Sequence, residues 1–301
     1  LQRLSEGNDN IACNANFWLA RVFSEGKNDF NKSAEILGKA LTKFNQSKLI
    51  DDITFEYANA LISKKPADWK KASESLIKIE ARGKFKQLAE VLALKTTCLH
   101  NLKDYQGSLQ QGDKFLSQYP ENKLKDDALF MRAENLLQLK KNTDALKAFD
   151  TYLKLNSSHN KINLAKLRKA QLHHISKDWE NSIKFAEPLL EISKKDKKFS
   201  QIPFILGDSH FMNKDWEKSI SNLNLFISSF ITEEPKANTK NIKATPNLDR
   251  AFVKSAIAND RSNKKDEALK IISIFVYQYP EKSDQLPLAL VEMGRLAFQL
   301  N

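Results

Sequence analysis

The chain has 301 residues, 41% of them hydrophobic, with a formal net charge of +11 and only 8 Gly and 8 Pro. That supplies enough apolar side chain for a substantial core, the scarcity of Gly and Pro favours helix over sheet, and no apolar run approaches the ~18 residues a membrane span needs. Two distant cysteines, Cys13 and Cys98, form no CxxC pair, which excludes a disulfide scaffold and a thiolate zinc site and reads as two buried small apolar residues.

In chain order the sequence repeats one statement. The segments are "KNDFNKSAEIL", "PADWKKASESL", "LKDYQGSLQQG", "KKNTDALKAF", "SKDWENSIKF", "NKDWEKSISNL" and "NKKDEALKII". The small residue after each turn is Ser33, Ala72, Ser108, Ala145, Ser182, Ser219 and Ala268, so the spacings are 39, 36, 37, 37, 37 and 49. An aromatic three places earlier, Phe30, Trp69, Tyr105, Trp179 or Trp216, opens five of the segments, and Asn142 and Lys265 stand there in the other two. Upstream of each lies another helical segment with its own small residue: Ala20, Ala60, Thr96, Ala133, Ala170, Gly207 and Ala256, then Gly294 in an eighth, unpaired segment.

Within segments the apolar period is helical; Leu129, Ala133 and Leu136 share a face, as do Ala145, Phe149, Tyr152 and Leu153. Each unit is therefore expected to be two short helices joined by a polar turn, with the small residues letting the helices cross closely. One such hairpin cannot bury its apolar face alone, so neighbours stack into a solenoid. The expectation is an all-α chain of seven hairpins plus one C-terminal helix, organised as a single domain over 1–301. The widest spacing marks an insertion between Thr232 and Asn247, "TEEPKANTKNIKATPN", whose prolines and polar residues predict a mobile loop.

This pattern resembles the tetratricopeptide repeat family, whose period is about 34. The resemblance runs from about Phe17 to Asn301 and implies a right-handed superhelix whose concave face binds extended peptides. Two copies, "FLSQYPENKLKDDALFMRAENLL" and "FVYQYPEKSDQLPLALVEMGRLA", end in Tyr-Pro, where Pro120 and Pro280 stop their helices. That form looks like tetratricopeptide proteins of the Gram-negative envelope, linked to outer-membrane assembly and the Tol–Pal system. It implies a periplasmic site of action, with the cytoplasm as the alternative.

The sequence offers no catalytic constellation. The five histidines, His100, His159, His173, His174 and His210, make no HxxxH or HExxH pattern, and no GxGxxG, P-loop or GxSxG occurs. No cofactor, metal or enzymatic activity is expected. The recurring tryptophans occupy an architectural position and read as packing. Counted from the small residue of each first helix, the places three before and one after are taken as inward-facing. The candidate partner-binding residues are Tyr57, Leu61, Phe130, Glu134, Leu167, Gln171, His174, Phe204, Asp208, Phe211 and Val253. The family's carboxylate clamp needs Asn at the place occupied here by Leu61, Thr97, Glu134, Gln171, Asp208 and Ile257, so a clamp of that type is not expected.

The expected function is a non-enzymatic scaffold that binds a protein or peptide. The alternatives are a nucleic-acid-binding solenoid and the repeat arm of a larger enzyme or of a secretion or envelope assembly. Residues 151–200 carry 11 Lys/Arg against 5 Asp/Glu, but a large share of this is the single run "SKKDKKF". A nucleic-acid groove needs a basic stripe across several elements, so nucleic acid is the weaker reading. The chain starts at Leu1 without a signal-like segment and ends on an apolar helix with few polar residues. The sequence therefore reads as part of a longer chain, and the C-terminal helix is expected to self-associate when left uncovered.

Overall fold

The computed structural model describes residues 1–7, 9–154, 160–231, 242–279 and 282–300, and among these it is all-α, with no strand. The chain forms two compact units, Leu1–His159 and Asn160–Asn301. The first unit contains α1 (Asn10–Arg21), α2 (Phe30–Lys43), α3 (Ile50–Ser63), α4 (Trp69–Arg82), α5 (Leu88–Asn101), α6 (Tyr105–Gln118), α7 (Lys125–Gln138) and α8 (Asn142–Leu153). The second contains α9 (Ile162–Ile175), α10 (Trp179–Ala186), a short α11 (Leu190–Ser193), α12 (Ile202–Met212), α13 (Trp216–Ser228), α14 (Leu248–Arg261), α15 (Lys265–Gln278) and α16 (Leu286–Leu300). The pairs α1–α2, α3–α4, α5–α6 and α7–α8 are the hairpins of the first unit; α9–α10, α12–α13 and α14–α15 are those of the second.

The turn chemistry explains why the second helices begin where they do. In six hairpins the residue just before the N-cap of the second helix is left-handed and is not glycine: Asn28, Lys103, Lys140, Lys177, Lys214 and Asn263. Around Lys177, its N–H donates to His174 O at 3.1 Å and the Asp178 N–H donates to His173 O at 2.9 Å. This is the Schellman pattern, which satisfies the carbonyls left over at a helix end. After Asn28, Lys103, Lys177 and Lys214 the next residue is an aspartate that caps the second helix, and Asp68 caps α4 without a left-handed residue before it. Asp29, Asp68, Asp104, Asp178 and Asp215 each accept a backbone N–H from three residues on, the usual N-cap role of an aspartate. The aromatic that opens each segment is thus the first residue after a capped turn.

The small residues meet as the spacing predicts. Ser33, Ala72, Ser108, Ala145, Ser182, Ser219 and Ala268 are all buried. A finer device was hidden from the sequence. Ser108 Oγ donates to Thr96 O at 2.8 Å, Ser182 Oγ to Ala170 O at 3.3 Å and Ser219 Oγ to Gly207 O at 2.9 Å. The small residue of the second helix thereby bonds the carbonyl of the small residue of the first. The hairpins also communicate: Asn135 Nδ2 donates to Ser108 Oγ at 2.7 Å and Ser209 Oγ to Ser182 Oγ at 3.1 Å.

Gly207 marks the closest approach. A Cβ there would lie 2.6 Å from Leu223 Cγ and 2.9 Å from Leu223 N, and backbone cannot yield as a side-chain tip can. Gly→Ala in an exposed helix gains about 1 kcal/mol; Gly207→Ala is expected to reverse that sign and destabilise the second unit by about 1–3 kcal/mol through overpacking. Urea unfolding of the variant tests this, and a gain in stability would contradict the contact.

Of the expected insertion, residues 232–241 lie outside the described residues, as do Pro280 and His159. From Ile242 the chain is described again: Ile242 is buried with Leu248, Phe252 and Phe275, and its N–H donates to Gln278 O at 3.4 Å. Pro188 ends α10 after two turns, and a 3₁₀ turn, Glu187–Leu189, follows. Both cysteines are buried and free, and burial pushes the Cys98 thiol up to about 12. No helix among the described residues is long and apolar enough to cross a membrane.

Candidate functional site

The places three before the small residue are mostly core. Phe130, Leu167, Phe204 and Val253 are all buried. Phe130 meets Phe149 and Tyr152 at centroid distances of 6.0 and 5.4 Å, and Phe204 meets Phe226 at 5.5 Å. Leu61 and Glu134, one place after, are buried as well. Tyr57 is half-buried with its ring against Gly38. The expectation of open aromatic anchors is corrected at these positions. Phe130 and Phe204 are turned towards their hairpin's own second helix, where they fill the gap that the small residues leave, whereas Tyr57 packs on α2 of the preceding hairpin.

The second unit brings several candidates together. Gln171 and His174 on α9, Phe204 on α12, and Gln201, Asn247 and Arg250 line a cleft of about 280 Å³, with Ile175 at its edge. Gln201 accepts from Asn247 Nδ2 at 3.0 Å, which ties the start of α14 to the start of α12. The Arg250 guanidinium lies 5.8 Å from the Phe204 ring centroid, and the His174 ring meets Phe204 edge-on at 6.0 Å. Ile175 is 67% exposed, an aliphatic group left in water beside cationic and amide groups.

Beneath the cleft, Asp208 binds two helices to α12. His174 Nε2 donates to Asp208 Oδ2 at 2.8 Å, and Lys254 on α14 pairs with Asp208 Oδ1. Burial pushes the Asp208 carboxyl up, but the His174 hydrogen bond and the Lys254 charge outweigh it and hold it below the usual carboxylate range. Asp208 is therefore an internal anion that fixes His174 and Lys254 rather than a group offered to a partner. Phe211 is half-buried, edge-on to Trp216 at 5.4 Å and 5.1 Å from Lys254 Nζ.

Two further histidines do structural work. His173 Nδ1 lies 2.9 Å from Asp178 Oδ2 and His210 Nδ1 lies 3.3 Å from Asp215 Oδ2, so each touches the aspartate that caps the following helix. Among the described residues no group of three His, Cys, Asp or Glu could hold a metal ion.

Sequence reasoning missed Ile175, Gln201, Asn247, Arg250 and Lys254. Four of them follow from the helical period. On a 3.6-residue repeat, the places six before, two before and five after the small residue fall on one side of a first helix. Gln201 and Arg250 are six before, Lys254 two before and Ile175 five after.

No protein-family model matches this sequence, and no curated protein matches it. Solved structures do. A tetratricopeptide repeat protein from Parabacteroides merdae superposes with a TM-score of 0.55 at 14% identity, covering 95% of this chain and 98% of that one. The chain has the tetratricopeptide-repeat fold. The C-terminal part of a tetratricopeptide repeat protein from Cytophaga hutchinsonii gives 0.52 at 14% identity, over 80% and 95% of the two chains. PilW, a type IV pilus biogenesis factor, gives 0.50 at 11% identity, over 81% and 100%. At such identities the likeness shows this fold and nothing finer; in the tetratricopeptide arrangement α9, α12 and α14 are successive first helices, the ones that line the cleft.

Proposed function

We propose that the protein is a non-enzymatic scaffold that binds a peptide or an extended segment of another protein along α9, α12 and α14. The observation that carries this reading is the cleft itself. An exposed aliphatic side chain, Ile175, stands beside the Arg250 guanidinium and the amides of Gln171, Gln201 and Asn247. Apolar surface ringed by polar groups is the composition of a contact surface. The expected ligand presents an apolar side chain next to a carboxylate. Selection from a displayed random peptide library on the whole chain, followed by calorimetry on the selected peptides, tests it. The double variant Ile175→Asp, Arg250→Glu is expected to weaken binding about tenfold or more, with circular dichroism unchanged, because both side chains are at the surface. Equal affinity for that variant overturns the cleft. Binding of oligonucleotides with a steep loss between low and moderate salt supports the nucleic-acid alternative instead.

The bacterial envelope is the cellular setting we favour. Its support is the two "QYPE" helix ends and the fold shared with PilW. Fractionation of native cells into periplasm, membranes and cytoplasm checks this, and a purely cytoplasmic protein contradicts it.

A further inference from the structure

The first hairpin departs from the others by one residue. Thirteen positions separate Ala20 from Ser33, whereas twelve separate the two small residues in each of the other six hairpins. The chain absorbs the extra residue by widening the turn. A π-helical turn, Val22–Gly26, follows α1, and the Asp29 N–H reaches six residues back to Phe23 O at 2.8 Å. The matching bonds of Asp104, Lys141, Asp178, Asp215 and Lys264 reach only five back. A π turn of this kind is rare and recurs at functional sites.

The wide turn opens a cavity of about 280 Å³ against α3 of the next hairpin. Ser24, Glu25 and Asn28 line it from the turn, Phe30 from the start of α2, and Glu56 and Asn59 from α3. It therefore lies between two complete hairpins of the first unit. Its charges do not balance. The Arg21 guanidinium is already forked onto Glu25 Oε1, with Nε at 2.8 Å and Nη2 at 2.6 Å. Glu56 is half-buried, is hydrogen-bonded by Asn59 and forms no ion pair among the described residues. Burial pushes the Glu56 carboxyl up; the Arg21 charge opposes this, and the Glu25 charge adds to it. One guanidinium thus serves two carboxylates, and a partly desolvated anion without a counter-charge is costly. Carboxylate and amide oxygens beside an aromatic ring suit an ammonium or a guanidinium. A metal ion fits poorly, because calcium takes six or more oxygens and no group of three metal-ligating side chains occurs among the described residues.

We propose that this cavity takes a lysine or arginine side chain of a partner protein, from a segment that carries an acidic residue close by. The acidic neighbour follows from the adjoining wall. Asn28 and Phe30 also line a second cavity of about 320 Å³, which Ser63, Lys64 and Lys65 close on its far side. Lys64 pairs only loosely with Asp68, at 3.9 Å, and Lys65 is exposed with no ion pair among the described residues. Asp29 on that wall is already engaged as the cap of α2. A ligand that runs past Phe30 therefore passes from carboxylates to ammonium groups. A free polyamine would set its next cation against Lys64 and Lys65, whereas a peptide can place a carboxylate there. The alkyl stem of the bound lysine or arginine lies against Phe30 with its charged head among the oxygens. This site is in the first unit and does not rest on the cleft of α9, α12 and α14.

The probes are blocked alanine-host peptides with a central lysine and a glutamate one, two or three places to either side. They are titrated into the isotope-labelled whole chain, and the side-chain amide signals of Asn28 and Asn59 report on the cavity. Saturable shifts of both signals are expected. Norleucine in place of the lysine should weaken binding about tenfold or more, because it keeps the stem and removes the charge. Glu56→Gln should do the same with urea stability unchanged or raised, since a half-buried unpaired charge is lost at constant shape. The norleucine comparison holds whatever that variant does to stability. Lys65→Glu should remove the preference for a flanking glutamate over alanine. The Ile175→Asp, Arg250→Glu variant should bind these peptides normally, which keeps the result apart from the cleft. No saturable shift at Asn28 and Asn59, undiminished binding by Glu56→Gln, or spermidine binding more tightly than every peptide overturns the proposal.

Discussion

Replacing Phe204 with alanine is expected to destabilise the second unit by about 3–5 kcal/mol, the range for deleting a buried aromatic ring. The ring is 2% exposed, packs on Phe226 across the hairpin, and has His174 and Arg250 over its remaining sides. Removing it leaves a cavity between α9, α12 and α13 that the helices cannot close, because Gly207 already holds α12 and α13 at contact distance. Stacked repeats couple mainly to their neighbours. Amide hydrogen exchange should therefore quicken in α12, α13 and α14 and stay near its original rate in α3 and α4. A cost below about 1 kcal/mol, with partner binding lost, would mean that Phe204 is a surface anchor after all.

Phe204 also shows how far the sequence could be read. The repeat, the seven hairpins, the unpaired α16 and the crossing residues were all legible, because a small residue recurring at nearly constant spacing has one cheap explanation, close helix packing. The turns were legible as polar segments, but Lys103, Lys177 and Lys214 were not recognisable as left-handed residues, since lysine carries no signal for that conformation. The site was half legible. Gln171, His174 and Phe204 do line the cleft, yet the places counted three before the crossing lie about 100° from those two before it. A shift of one residue exchanges core for surface: Phe204 and Val253 face inwards to the core, while Lys254, the neighbour of Val253, reaches Asp208 at the base of the cleft. Counting from the small residue without following the 100° step per residue mistakes one for the other. Charge could have helped, as Arg250 and Lys254 lie four apart on α14, one turn of the same stripe.

The anion at the base of the cleft yields the other large effect. Asp208→Asn is expected to cost about 3 kcal/mol at neutral pH, the lower end of the range for breaking a buried ion pair. The low end applies because the side chains of Lys254 and His174 keep 20% and 15% exposure and can turn partly towards water. The amide keeps the shape of the carboxylate but presents an NH₂ to one of two donors and removes the charge that Lys254 faces. The pH dependence fixes the cause. Since the folded-state carboxyl lies below its ordinary value, the unfolded chain binds the proton more readily, and stability falls as pH falls. The contribution of Asp208 is fully present above the unfolded value of about 4 and is lost as pH drops through the lower folded value. A protonated aspartic acid and an asparagine are then nearly equivalent. Urea denaturation of wild type and Asp208→Asn should give a gap that is constant from about pH 7 to 5 and narrows below about pH 4. A gap that stays constant down to pH 2 would assign the loss to packing and deny the anion its role in holding α9 and α14 to α12.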